Sequence, residues 1–319
     1  MSLLGIGLQP CRWLDRWFSY SGCVYSIAIE RASIRSLTFA PDGATIAVGG
    51  SDGLLQIYAA DDGSLLTSLH QHNAWVTSVA FSPDGSLLAS ADWDGEVRIW
   101  RSSDWKLLTS WRVQVTHGSG TMRLAFAPDG RTLASATRGQ MVQLWEPTSG
   151  RLLQELHATE ALLAFSPDGS LLAVGQPESV ITLYRQSDWQ AIALMRSHRY
   201  NITDLAFSQD GQRLYSSSQG DGALHAWRLA DGALITNAAA PAGSTIALSL
   251  DGRWLASGGA FFEMQGLNGA LALTELNTDL RTRSWLADDA PVESVAFSPD
   301  SSLLASGSWN TLRLWRVRG

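Results

Sequence analysis

One short pattern, written seven times, limits what this chain can fold into more than any other feature. Phe-Ser/Ala-Pro-Asp-Gly begins at Phe39, Phe81, Phe126 and Phe165, and returns in looser form at Phe207, Leu248 and Phe297. The spacings are 42, 45, 39, 42, 41 and 49 residues. A repeat of roughly 40–50 residues is one supersecondary unit that cannot bury its apolar face alone and must stack on its neighbours. The interior of each copy reads as short strands. In the second, Val76 to Phe81 is a strand, Pro83-Asp84-Gly85 a turn, Leu87 to Ser90 a second strand and Asp92 to Gly95 another turn. Val97 to Trp100 alternates around Arg98, and after the polar loop Arg101 to Asp104 a fourth strand carries Leu107 and Leu108 toward Trp111. No window of similar length keeps a helical period, which disfavours a parallel α/β sheet. The 14 tryptophans fit a Trp-bearing position repeated from copy to copy.

Four antiparallel strands per repeat describe a propeller blade, and a ring protects edges that an open stack would leave bare. Closure has its own signal. The seventh copy stops after its third strand, Leu312 to Val317, whereas Cys23 to Ile29 alternates Val24, Ser26 and Ala28 with Tyr25, Ile27 and Ile29 and has no partner in its own repeat. The expectation is an all-β, seven-bladed β-propeller of four-stranded antiparallel blades, closed by an N-terminal strand that completes the last blade. It occupies residues 23–319. Residues 1–22 form an extension in which Leu14, Trp17 and Phe18 lie on one helical face, compatible with a short amphipathic helix or a docked tail.

On these residues the chain resembles the WD40-repeat family over roughly residues 24–319. The family's structural tetrad of loop His, strand Ser, turn Asp and strand Trp is matched in the second copy by His72, Ser90, Asp94 and Trp100, and in the fifth by His198, Ser217, Asp221 and Trp227. The resemblance implies a buried hydrogen-bond relay at those positions. Elsewhere the pattern decays. The third copy keeps His117, Ser135 and Trp145 with Gly139 at the acid position, and the fourth offers His157, Val174, Glu178 and Tyr184. Asp52 and Tyr58 stand in the first copy without a His, Asn268 and Thr274 replace Asp and Trp in the sixth, and Trp315 persists in the seventh.

Formal charge is −7, the pI is near 5.3 and no basic run is present, which argues against nucleic acid. Leu3 to Leu8 lacks the charge and cleavage pattern of a signal peptide, and no 18-residue apolar run marks a membrane span. Cys11 and Cys23, the two cysteines, read as thiols in a reducing, cytoplasmic setting, with a single bridge left open. No catalytic, metal or cofactor constellation is expected. The apparent Ser90, His72, Asp94 triad recurs by repeat position and its Ser lies in a strand, and one histidine per blade is too sparse for zinc.

The resemblance places function on the face made by the loops entering the innermost strands and the turns between second and third strands. Trp75 and Tyr200 precede innermost strands, and Trp93, Trp309 and Arg138 fall in those turns. Phe261 and Phe262 sit in an insertion, Ala260 to Gly266, of the sixth copy. Trp105 and Trp189 fall on the opposite face, where Gly63 and Gly150 hold the same turn in other copies. The expected protein is a non-enzymatic scaffold, monomeric or a subunit of a complex, that binds a protein or peptide. The alternatives are a small-molecule or glycan-binding propeller and, less favoured, a hydrolase-type propeller enzyme.

Overall fold

The structure is a computed structural model that describes residues 22–29, 32–113, 122–137, 141–156, 158, 162–176, 179–196, 198–218, 223–239, 243–263, 266–276 and 282–317. The expected helix or docked tail before Gly22 lies outside the described residues. Twenty-eight strands form seven four-stranded antiparallel sheets, one per repeat. The innermost strand of every blade contacts the innermost strands of both neighbouring blades, blade 7 against blade 1 included, so the ring is closed.

Closure takes the expected form. Cys23–Ala28 pairs antiparallel with Thr311–Arg316 as the outer strand of blade 7, in the register Ile27↔Leu312 and Ala28↔Thr311. Ile29 N to Asn310 O (2.7 Å) and Arg316 N to Gly22 O (2.6 Å) extend the ladder at both ends. The strand also reaches sideways, since the buried Tyr25 hydroxyl donates to Ala60 O of blade 1 at 3.0 Å. Cys23 is disulfide-bonded, the bridged alternative that the sequence left open.

The core lies between the blades. Each junction holds its own apolar cluster: blade 1 against 2 around Ile57 and Trp100, 2 against 3 around Ile99 and Trp145, 4 against 5 around Leu183 and Trp227. The third-strand Trp of a blade therefore packs on the preceding blade. Strand alternation explains this, because residues two apart share a face and the blade has two apolar faces to cover. Hydrogen bonds tie the innermost strands together as well. Leu37 N donates to Ser294 Oγ (3.0 Å), Val79 N to Ser36 Oγ (3.1 Å) and Leu124 N to Ser78 Oγ (3.0 Å), linking blades 7, 1, 2 and 3 in succession. Asp204 repeats the link from blade 5 to Ile246 N of blade 6 at 2.8 Å.

Hairpin turns between third and fourth strands show size matching. Gly63 and Gly150 have φ of 70° and 68°, and a Cβ there would lie 2.8 Å from Tyr25 and Trp111, aromatic residues of the preceding blade's outer strand. In blades 2 and 4 the turn residue is itself aromatic. Trp105 and Trp189 take φ of 56° and pack against the junctions where the preceding outer strand offers only Leu69 or Leu156. At each of these four turns an aromatic ring comes either from the turn itself or from the preceding outer strand.

Candidate functional site

Blade 2 carries the complete relay. Trp100 Nε1 donates to Ser90 Oγ (2.8 Å), Ser90 Oγ meets His72 Nε2 (2.7 Å) and His72 Nδ1 meets Asp92 Oδ2 (2.9 Å). An indole can only donate and a carboxylate can only accept, so the protons run one way: Trp to Ser, Ser to His Nε2, His Nδ1–H to Asp. Asp92 Oδ1 accepts from Asp94 N (3.0 Å) and Glu96 N (2.9 Å), clamping the turn. Burial would raise the Asp92 carboxyl, but the His72 hydrogen bond and charge and the two backbone N–H groups outweigh it and hold it below the usual value.

The acid of the relay is thus Asp92, not the expected Asp94. Asp92 ends the second strand two residues beyond Ser90 and shares its face, whereas Asp94 sits in the turn and is exposed. The same parity corrects blade 5. Trp227 Nε1 donates to Ser216 Oγ (2.9 Å), which meets His198 Nε2 (2.7 Å). Ser217 faces the other way and pairs with Thr203 (3.1 Å). Asp221 lies outside the described residues, and Ser218 occupies the place of Asp92. Here His225 stacks on His198, ring centroids 3.8 Å apart and 10° from parallel. The Trp–Ser bond recurs as Trp145–Ser135 and Trp315–Ser306, both 2.8 Å. In blade 6 Thr274 pairs with Thr282 instead (2.9 Å), and Ser257 Oγ has no partner among the described residues.

Blade 7 substitutes a different arrangement. Asp288 stands where blade 2 has His72 and accepts from Ser308 Oγ at 2.5 Å. It also contacts the Arg313 guanidinium. Burial pushes the Asp288 carboxyl up to about 6 against the pull of Arg313 and Ser308, with Asp289 beside it held low.

The exposed face gathers several of the sequence candidates. Trp75 and Trp309 are 43% and 53% exposed and Tyr200 is 55% exposed. Trp75 and Trp93 form a tilted pair with ring centroids 5.3 Å apart, and Trp93 N donates to Trp75 O (2.8 Å). They wall a cleft of about 510 Å³ between blades 1 and 2, completed by Ser51, Asp52, Asn73, Ala74 and Asp94. Trp309 occupies in blade 7 the turn that Trp93 occupies in blade 2, and among the described residues no ring contact joins it to the pair. Arg35 spans the intervening blade: its guanidinium lies 4.7 Å from the Trp75 ring centre and 2.7 Å from Glu293 Oε2 of blade 7. Sequence reading missed Arg35 because its partners are 40 and 258 residues away. The sixth-copy insertion is an extension of the blade, with strands Trp254–Glu263 and Gly266–Glu275 paired out to Glu263↔Gly266. Phe261 and Phe262 lie in that hairpin; their side chains, and Arg138 altogether, fall outside the described residues.

His72, Asp92 and Glu96 place ligand-type atoms within 4.8 Å of one another. Each is already committed: both His72 nitrogens and both Asp92 oxygens to the relay, and Glu96 to Arg98 at 2.8 Å. The cluster is the relay itself, and Ser90 within it is buried in a strand. No helix among the described residues is long and apolar enough to cross a membrane.

Seven blades closed in a ring, with a Trp–Ser–His–Asp relay complete in blade 2 and its Trp–Ser bond repeated in blades 3, 5 and 7, define a WD40-type propeller. The chain belongs to the WD40-repeat β-propeller family: the family described as the IFT122 first beta-propeller matches residues 33–265, and the WD domain, G-beta repeat family matches residues 281–316. Similar proteins include human telomerase Cajal body protein 1, 37% identical over 67 residues, 21% of this chain and 12% of that protein. The mouse protein of the same name is 37% identical over 67 residues, 21% of this chain and 13% of that one. The ciliary WD repeat-containing protein ctxp80 of Euplotoides octocarinatus is 37% identical over 54 residues, 17% of this chain and 8% of that protein. The chain thus matches only about a tenth of the length of these relatives.

Proposed function

We propose that the protein is a non-catalytic recognition module that binds a protein or peptide partner across the face carrying the relay loops. The observation that carries this reading is the pair of exposed Trp75 and half-buried Trp93 beside a cleft, with the exposed Trp309 two blades away at the turn equivalent to that of Trp93. Indoles held on a hydrogen-bonded ring lose little entropy on binding, and Trp, Tyr and Arg dominate interface hot spots. The groups that could imitate a catalytic triad are consumed in the relay.

The test is capture of the principal partner from a lysate of the source cells by the immobilised protein. Trp93→Ala with Trp309→Ala is expected to abolish capture. Trp105→Ala with Trp189→Ala removes two indoles from the opposite face and is expected to leave capture intact in whatever fraction stays folded. Loss of capture only in the second pair, or no partner above background for the wild type, overturns the reading.

A further inference from the structure

The cleft between blades 1 and 2 has a charge that its aromatic walls do not explain. Asp52 and Asp94 stand at the same turn position in successive blades and both line it. Neither has an ion-pair partner among the described residues. Asp94 uses only its N–H, donating to Asp92, and Asp52 spends one oxygen on Leu54 N (3.0 Å). The nearby cation, Arg35, is already neutralised by Glu293. The pocket on the opposite face differs. It is lined by Asp210 and Asp251, and their carboxylates are tied to Ser208 (2.6 Å) and Ser249 (2.5 Å) and hold their own turns. The upper cleft therefore keeps two negative charges beside two indoles.

We infer that this cleft receives a cationic side chain, arginine or lysine, presented by the partner. This rests on the recognition reading above and assigns its chemistry. An indole face attracts a cation through its quadrupole, and guanidinium does so while keeping N–H donors free for carboxylates. Arg35 over Trp75 is the same contact made within the chain. A 57° tilt between the rings gives a wedge rather than a flat platform, which suits a slender cationic side chain better than a pyranose face.

The test is a saturation-transfer NMR titration of the whole protein with the blocked tripeptide Gly-Arg-Gly. Its lysine and neutral citrulline counterparts and a neutral glucose trisaccharide serve as comparison probes. The arginine and lysine peptides are expected to bind saturably and to weaken with added salt. Citrulline is expected to bind at least about fivefold more weakly than arginine, the factor that a cation–π contact and an exposed ion pair supply together. Asp52→Asn with Asp94→Asn keeps shape and the Leu54 bond, and is expected to weaken the arginine peptide by about five- to tenfold. Equal affinity for citrulline, an unaffected double variant, binding of the trisaccharide alone, or no saturable binding each overturns the inference. Partner capture by the same Asp52→Asn, Asp94→Asn protein separates the two readings. If capture survives while the arginine peptide does not bind, the docking face stands and its cationic ligand falls.

Discussion

Blades 2 and 7 follow one template and solve it differently. Both carry a Trp at the turn between second and third strands, the half-buried Trp93 and the exposed Trp309, and both hold the third-strand indole on a buried serine, Trp100 on Ser90 and Trp315 on Ser306. Blade 2 is written in one continuous stretch and completes the relay with His72 and Asp92. Blade 7 is assembled from both ends of the ring and places Asp288, Ser308 and Arg313 where that relay would be. The Trp–Ser bond is thus the part the two blades share, and it recurs in blades 3 and 5. The outer half of the relay is interchangeable, provided every buried polar atom finds a partner.

The largest expected effect lies in the seam of blade 7. Removing residues 1–30 takes away its outer strand, bares the edge of Thr311–Arg316 and unfastens Tyr25 from blade 1. The expected result is aggregation on purification. Removing residues 1–20 spares the pairing and is expected to leave a soluble protein with a cooperative urea transition. A well-behaved product of the longer deletion would mean that blade 7 stands without its borrowed strand.

Next in size is the relay of blade 2. Asp92→Ala leaves the His72 N–H and two turn N–H groups without their acceptor, for an expected loss of about 1–3 kcal/mol in urea unfolding. Asp94→Ala touches an exposed carboxylate and is expected to stay within about 0.5 kcal/mol. Equal losses at the two positions would contradict the assignment of Asp92.

The two blades are also expected to respond to acid with opposite signs. The Asp92 carboxyl is held below its ordinary value of 3.8, so the native state favours the ionised form. Its contribution is fully present above that ordinary value and is lost as pH falls through the lower folded one. Asp288 is raised to about 6, so between its ordinary value and 6 the native state holds a proton that the unfolded chain has released. Its contribution therefore declines as pH rises through that window. Denaturation curves collected across the acid range should show Asp92→Asn removing the first dependence and Asp288→Asn the second. Identical pH profiles for the two variants would erase the distinction between the blades. A small effect on stability is likewise expected from Trp93→Ala with Trp309→Ala, a shift under about 1 kcal/mol measured in urea. A larger loss would show that these rings shield the blades instead of serving the surface.

Much of this architecture is legible in the residues alone, because period and parity are local properties. The six Asp-Gly turns and the Asp300-Ser301 turn of the seventh copy, the unpartnered alternation of Cys23 to Ile29, and Trp105 and Trp189 in glycine turns could all be read without coordinates. The relay went astray where parity was easiest to lose. Asp92 and Asp94 flank one Trp, and Asp-Gly is the more conspicuous turn signal. Ser216, Ser217 and Ser218 offer three candidates in a row, and only the strand register opposite Trp227 selects Ser216. Arg35 and Asp288 had no sequence signal, since one acts on residues two blades apart and the other replaces a His with a residue of opposite charge preference. The charge of the cleft likewise appears only when two turns from successive repeats come side by side.

The borrowed strand has a consequence for time. Cys23–Ala28 is made well before its partner Thr311–Arg316, so during synthesis at roughly 5–20 residues per second the first strand waits on the order of 15–60 s for its mate. Blades written in one stretch can begin pairing as they leave the ribosome, but the ring cannot lock until nearly the whole chain has emerged. For that interval the nascent protein is an open arc with two sticky edges, and the waiting strand is free to join any exposed edge it meets. On a crowded polysome the likeliest stranger is a copy of the same seam on the next ribosome.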